Sequence, residues 1–270
     1  MSETALSIVP AWDEDLELIL AAAVAAGDTA LGYFRKSFGV HWKNEGRSPV
    51  SEADLAANDI LKGRLLAARP DYGWLSEETD DDETRLTRET VFVVDPIDGT
   101  RAFISGKDLW CVSVAVVHRG QPVAGVLYAP ALGEVFQATL DGEARKNGDA
   151  IAVRDAGDIL KIAIAEDLIG KLALPYRKTM LRVSHVPSLA YRLAMIADGR
   201  IDGTVVKRNS HDWDLAAADL ILSRAGGALR SVDGEPLSYN RPIVTHGVLG
   251  AASGSALSAL LAASRPLEPH

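Results

Sequence analysis

Apolar residues at Leu16, Ile19, Leu20, Ala23, Val24, Gly27, Ala30, Leu31 and Phe34 recur at intervals of three and four. That spacing lines one face of an α-helix, and Asp13 to Asp15 stand at its positive end. The stretch from Val40 to Val50, rich in Lys, Asn, Gly and Ser with Pro49 near its end, reads as a loop. Ser51-Glu52-Ala53-Asp54 has the form of a capping box, and Leu55, Ile60, Leu61 and Leu65 carry a second helix. Trp74 and Leu75 begin a short strand that stops at Ser76-Glu77-Glu78. The acidic run Asp80 to Glu83 reads as a solvated loop.

From Val91 onward the period shortens to two or gives way to continuous apolar runs. Val91 to Val94, Val112 to Val117, Val123 to Tyr128 and Val135 to Thr139 read as successive strands, with Gly120, Pro130, Gly133 and Gly142 between and after them as turns. After Gly148 the pattern alternates. Strands are expected at Ile162 to Ala165, near Leu181 to Val183 and near Gly203 to Val206; a helix is expected at Ser188 to Ala197. A helix from Asp214 to Ala225 ends at Gly226-Gly227, and Val248 to Ala252 and Ala256 to Ala263 read as a last strand and helix. The sequence predicts an α+β N-terminal lobe over 1–150 and an α/β C-terminal lobe over 151–270, tightly joined. No internal repeat or low-complexity segment interrupts them.

Composition narrows the class. The chain has 270 residues, 47% hydrophobic and 24% charged, which supports a large buried core without a disulfide scaffold. The longest unbroken apolar run, Leu18 to Ala26, falls short of the ~20 residues that span a bilayer, so no membrane association is expected. The single cysteine, Cys111, excludes an intramolecular disulfide and a cysteine-rich zinc site. With an acidic N-terminus unlike a secretory signal, this predicts a cytoplasmic protein. A net charge of −9, from 37 acidic and 28 basic residues, argues against a coat for duplex nucleic acid.

The chemistry gathers at Val93-Val94-Asp95-Pro96-Ile97-Asp98-Gly99-Thr100. An apolar strand delivers Asp95, Pro96 keeps Asp95 extended, and Gly99-Thr100 can open a helix whose backbone N–H groups favour a phosphate. Two carboxylates beside a phosphate seat repel each other and the ligand unless a divalent cation lies between them. All-oxygen donors point to Mg²⁺ or Mn²⁺ rather than zinc. Asp54, Glu77, Glu78 and Asp214 recur at the ends of other elements, where ligands carried on loops converge. Taken singly, Asp54 also fits a capping acid, Asp214 an N-cap and Glu77-Glu78 a polar strand end.

Four motifs, Leu75-Ser76-Glu77-Glu78, Asp95-Pro96-Ile97-Asp98-Gly99-Thr100, Trp213-Asp214 and Ala225-Gly226-Gly227, follow one another in an order that resembles the inositol monophosphatase superfamily. The resemblance runs from the first helix to about residue 252. It implies a layered α/β/α/β/α sandwich, commonly a homodimer, that hydrolyses phosphate esters with Mg²⁺ and is inhibited by lithium. On that resemblance Glu77, Asp95 and the Ile97 carbonyl hold a first ion. Asp95, Asp98 and Asp214 hold a second, and a third leans on Glu77 through water. Thr100 and Asp54 match the pair that polarises the attacking water, Gly99 and Thr100 N–H groups receive phosphate oxygens, and Glu78 supports the ligand glutamate from behind.

The substrate is less sharply marked. Ser188 lies in a turn that commonly touches the organic part of the substrate, with Pro187 in place of the family's glycine. Ala218 replaces another frequent glycine, as a packing change. Lys207-Arg208 stands where inositol phosphatases tend to carry a glutamate for sugar hydroxyls. Two cations there suit a second phosphate, although a solvated loop pair fits them as well. With Phe103-Ile104, Tyr128-Ala129-Pro130 and the segment Gly234 to Tyr239, they make the chain similar to bacterial 3'(2'),5'-bisphosphate nucleotidases. The reading is therefore a phosphatase taking 3'-phosphoadenosine 5'-phosphate to AMP. The alternatives are an inositol-1-phosphate or other polyol or sugar phosphatase, and a family member acting through protein partners. Of the histidines, His41, His118, His246 and His270 read as surface or packing residues; His185 and His211 fall near the expected pocket, and none reads as a metal ligand.

Overall fold

The computed structural model describes residues 12–36, 39–43, 48–155, 160–184 and 186–267. His185 and His270 lie outside the described residues. The first helix, α1, spans Asp13–Tyr33; Ile19, Ala23, Gly27 and Ala30 of the periodic set are buried, Ala22 and Ala26 widen the stripe, and Leu31 of that set is exposed. By length and apolar composition α1 is long enough to cross a bilayer, yet this stripe packs into the core as in a globular domain. Val40–Lys43 (β1) and Ser48–Ser51 (β2) pair as an antiparallel ladder where the composition predicts a loop. The polar residues between them masked two strands of four residues each. Helix α2 (Glu52–Ala68) follows directly, with Ser51 as N-cap and Asp54 closing the capping box.

A seven-stranded sheet is built from β3 (Gly73–Ser76), β4 (Thr90–Asp98), β5 (Cys111–His118), β6 (Gln121–Ala129), β7 (Glu134–Thr139), β8 (Arg145–Lys146) and β9 (Asp149–Ala150), in sequence order. Helix α3 (Thr100–Ile104) lies between β4 and β5. A five-stranded sheet has the order β11-β10-β12-β14-β13, with β10 at Leu160–Ala163, β11 at Met180–Arg182, β12 at Gly203–Val206, β13 at Gly227–Ser231 and β14 at Leu249–Ser253. Its helices are α4 (Glu166–Ile169), α5 (Leu174–Arg177), α6 (Leu189–Ala197), α7 (Asp212–Arg224) and α8 (Gly254–Ser264).

Strand alternation explains the layering. On β4, Phe92 and Val94 pack with α1 and α2, whereas Val91 and Val93 pack with α6 and α7. The second cluster continues through α6 and α7 to Ala163, Val206, Leu249 and Ala251 of the other sheet. The far face of that sheet, with Ile162, Val205 and Ala252, is covered by Ala256, Leu260 and Ala263 of α8 and by Leu168 and Tyr176. Helices, sheet, helices, sheet and helices therefore stack in five layers, as the resemblance implies. Ala218 is fully buried between the sheets, a packing residue as expected.

Candidate active site

Asp95 has the parity of Val91 and Val93, so it points to the α6–α7 side of β4, where α7 begins. Pairing with β5 slips between Asp95 and Asp98, and this irregularity carries Asp98 to the same side. Asp95 is 1% exposed, and its Oδ1 accepts the Ile97 N–H at 2.9 Å. Asp98 Oδ2 accepts the Ser188 hydroxyl at 2.5 Å and the Ala190 N–H at 2.6 Å, and Oδ1 accepts the Leu189 N–H at 3.2 Å. It thus satisfies two of the free amides that open α6. Asp214 lies at the third position of α7, where Oδ2 accepts the His211 N–H at 2.7 Å. Carboxylate oxygens of Asp95, Asp98 and Asp214 all lie within 4.8 Å of one another.

Glu77 follows β3, and its N–H extends the parallel pairing to Val94 O at 3.2 Å. Burial, then the charges of Asp214, Glu78, Asp54 and Asp98, push its carboxyl up to about 8. Asp98 is pushed up to about 7 by burial and Asp214, against the pull of Ser188 and the α6 amides. Asp95 is raised well above the ordinary carboxylate range by burial, then by Glu77 and Asp98. Crowded acids in a dry setting lack a counter-charge. A hard divalent cation with oxygen ligands supplies it, so this donor set fits the metal expected from the sequence.

Gly99 turns the chain from β4 into α3 at φ +98, and a Cβ there would meet Leu109 O and Ser188 Cβ at 3.2 Å each. Only glycine suits such a turn. Thr100 Oγ1 then stands 3.2 Å from Asp54 Oδ1 and 3.1 Å from Ile97 O. Asp54 Oδ2 is taken by the Ser51 N–H at 2.8 Å and the Ser51 hydroxyl at 2.6 Å. Burial lifts Asp54 to about 6, opposed by its Ser51 bonds. Glu78 sits beside this pair and its charge adds to the rise of both Asp54 and Glu77.

Three substrate-side expectations meet different surroundings. Ser188 is fully buried: its hydroxyl donates to Asp98 and accepts the Tyr191 N–H at 3.0 Å as the N-cap of α6. The reason is local, because a serine before a helix satisfies an open amide more readily than it faces solvent. Lys207 and Arg208 do line a cleft of about 290 Å³ with Asn209, Ser210, Arg192 and Asp214. Lys207 Nζ is held by Asp167 at 2.8 Å, whereas Arg208 is exposed at the rim.

Arg192 and Ser210 are the cleft residues that the sequence reading passes over. Arg192 is 9% exposed, and burial lowers its guanidinium to about 10 against the pull of Asp98. Its Nε and the Ser210 hydroxyl are buried with no hydrogen-bond partner among the described residues. The available signal was that Arg192 is the only charged residue of α6. Other residues take specific partners. Asp81 of the solvated acidic run grips the buried Arg85, and Asp82 caps the short 3-10 turn Glu83–Thr87. His246 is buried on Asp212 at 2.7 Å, and His211 stacks on Trp213 at 4.5 Å.

The inositol monophosphatase family model matches residues 11–268. The chain is 36% identical over 200 residues to an inositol-1-monophosphatase of Mesorhizobium japonicum, covering 68% of this chain and 73% of that one. It is 30% identical over 236 residues to a 3'(2'),5'-bisphosphate nucleotidase CysQ of Aggregatibacter actinomycetemcomitans, covering 84% and 87%. Among solved structures, the extragenic suppressor protein suhB of Bartonella henselae superposes with a TM-score of 0.80 at 26% identity, covering 93% and 98%. The chain belongs to the inositol monophosphatase family of metal-dependent phosphate monoester hydrolases.

Proposed function

We propose that the protein is a Mg²⁺-dependent phosphatase whose preferred substrate is a 3'(2'),5'-bisphosphate nucleotide, with 3'-phosphoadenosine 5'-phosphate going to AMP. The observation that carries the substrate class is the cleft that has Asp214 on its wall together with Arg192, Lys207 and Arg208. A cleft lined by one carboxylate of the acidic centre and three cations accommodates a ligand with two separated anionic groups. Arg192 strengthens the case, since a buried guanidinium with an open N–H gains most from an anion.

On this reading Glu77, Asp95 and the Ile97 carbonyl would hold one ion and Asp95, Asp98 and Asp214 a second, and Glu77 would support a third. Bound there, the metal supplies an acidified water and neutralises charge on the phosphoryl oxygens. Thr100 Oγ1, bonded to Asp54 Oδ1, would orient the attacking water and pass a proton toward Asp54, whose carboxyl near 6 suits a proton acceptor at neutral pH. The Gly99 and Thr100 N–H groups receive phosphate oxygens. Ser188 acts by holding Asp98 rather than by touching the ester. Lithium inhibition, a homodimer and a cytoplasmic location belong to the same reading.

A second reading is an inositol or polyol phosphatase. It is favoured by the name of the Mesorhizobium relative and by the pairing of Lys207 with Asp167. Phosphate release with Mg²⁺ from a bisphosphate nucleotide, inositol 1-phosphate, fructose bisphosphate and histidinol phosphate separates the two. The highest kcat/KM is expected on the nucleotide. A preference for inositol 1-phosphate overturns the first reading.

A further inference from the structure

The two elements that carry Glu77 and Asp214 are joined, away from the acidic centre, by a chain of hydrogen bonds. Arg85 is only 2% exposed, although it belongs to the acidic turn after β3. Its Nε and Nη2 grip Asp81 at 2.6 and 2.8 Å, Nη1 donates to Asn240 Oδ1 at 2.7 Å, and both Nη groups donate to Arg241 O at 3.1 Å. Asn240, at φ 55, donates its backbone N–H to Asp212 Oδ2 at 2.7 Å. Asp212 is fully buried, and its Oδ1 lies 2.7 Å from His246 Nε2. Backbone bonds from Asp212 N to Val244 O and from His246 N to Ser210 O, both 2.9 Å, fasten the same segment along the start of α7.

The other end is equally fixed. A Cβ on Gly73 would come within 3.2 Å of Arg85 Cβ and 3.3 Å of its Cα, so the turn bearing Arg85 is pressed directly on β3. Arg85 is thus packed against the start of β3, the strand that Glu77 follows. At the start of α7, Ser113 Oγ ties Trp213 O to β5 at 3.1 Å. That bond and the packing of α7 on β4, β5 and β6 seat the helix on the sheet to which β3 is paired; the Arg85 chain adds a second, direct tie between the turn after β3 and the start of α7. The proposed ligand sets take Glu77 from the turn after β3 and Asp214 from the start of α7, so the relative placement of these two elements bears on both sets.

We propose that Arg85, Asn240 and Asp212, closed by His246, form a brace that fixes Glu77 relative to Asp214 and so sets the metal affinity of the centre. These are positioning residues, and the inference rests on the reading of Glu77 and Asp214 as ligands. Partners that hydrogen-bond a ligand directly typically contribute about tenfold or more in metal affinity, and this brace acts one step further out, through the elements that carry the ligands.

The test uses the full chain freed of metal and titrated with Mn²⁺ by calorimetry and by the electron spin resonance of free Mn²⁺. Asn240→Gly deletes the amide that meets Arg85 while tolerating the positive φ; Arg85→Lys keeps the charge but loses the fork. Both variants are expected to bind Mn²⁺ about tenfold more weakly than wild type. The Mg²⁺ concentration for half-maximal phosphate release should rise in parallel, with kcat restored at saturating Mg²⁺. Folding is checked by a thermal melt in chelator; if Arg85→Lys does not fold, Asn240→Gly decides. Unchanged Mn²⁺ affinity in the folded variants, or a fall in kcat that Mg²⁺ does not restore, overturns the brace. A wild-type chain that takes up no Mn²⁺ overturns the ligand assignment, and the brace falls with it.

Discussion

Thr100 Oγ1 lies 3.2 Å from Asp54 Oδ1, across 46 positions of sequence. The contact exists because the capping box of α2 occupies only Oδ2 of Asp54 and leaves Oδ1 turned toward the end of β4. Replacing Asp54 by Asn keeps an acceptor for the Ser51 N–H but removes the proposed proton acceptor. Asp54→Asn should lower kcat by about 10²-fold or more with little change in Mn²⁺ affinity, measured by steady-state kinetics and calorimetry. A loss of affinity that accounts for the whole defect would count against a proton-transfer role.

Asp95 feels the charges of both Glu77 and Asp98, so its loss should be felt by any metal held in the acidic centre. Asp95→Asn should abolish Mg²⁺-dependent phosphate release while leaving the circular dichroism spectrum unchanged. If a cellular role survives that change, a protein-binding function accounts for it better than catalysis.

Metal-free protein should become more stable as pH falls from about 8 toward 5. Glu77 and Asp98 have folded values of about 8 and 7, raised first by burial, above their ordinary 4.5 and 3.8. Between those limits the folded state binds more protons than the unfolded one, so stability drops as pH rises. A melting series in chelator should show this slope, and saturating Mg²⁺ should flatten it. A Tm that rises with pH in chelator would refute it.

Arg192 and Arg208 face the cleft beside Asp214. Arg192→Met and Arg208→Ala should each lower kcat/KM for a bisphosphate nucleotide by about tenfold, and affect a monophosphate far less. Lys207→Ala should do less than either, because Asp167 already neutralises it. Equal losses on both substrate types would remove the argument for a second phosphate.

Gly99→Ala should destabilise the fold by about 1–3 kcal/mol in urea unfolding. The added methyl meets Leu109 O and Ser188 at 3.2 Å, and φ is +98. Because Ser188 holds Asp98, metal affinity should fall in the same variant. A variant as stable as wild type would mean that the turn relaxes freely.

Much of the architecture was legible from local pattern. The stripe on α1, the capping box of α2 and the apolar runs of β4 to β7 each announce themselves within a few residues. Short elements did not. β8 and β9 are two residues each, and Gly-Ala-Leu-Arg-Ser of β13 shows neither alternation nor a continuous apolar run. Sheet pairing, not propensity, makes them strands.

The acidic motif was written in one stretch, and the sequence alone determined that Asp95, Asp98 and Thr100 would share a strand end. What surrounds them was decided by the tertiary structure. Ser188 meets Asp98 across 90 positions, and Arg85 meets Asn240 across 155. Periodicity reports which face of its own element a side chain occupies, but not what the register of two sheets brings against it. That is why a serine expected at the substrate is buried under an aspartate, and why an arginine in an acidic turn lies in the core.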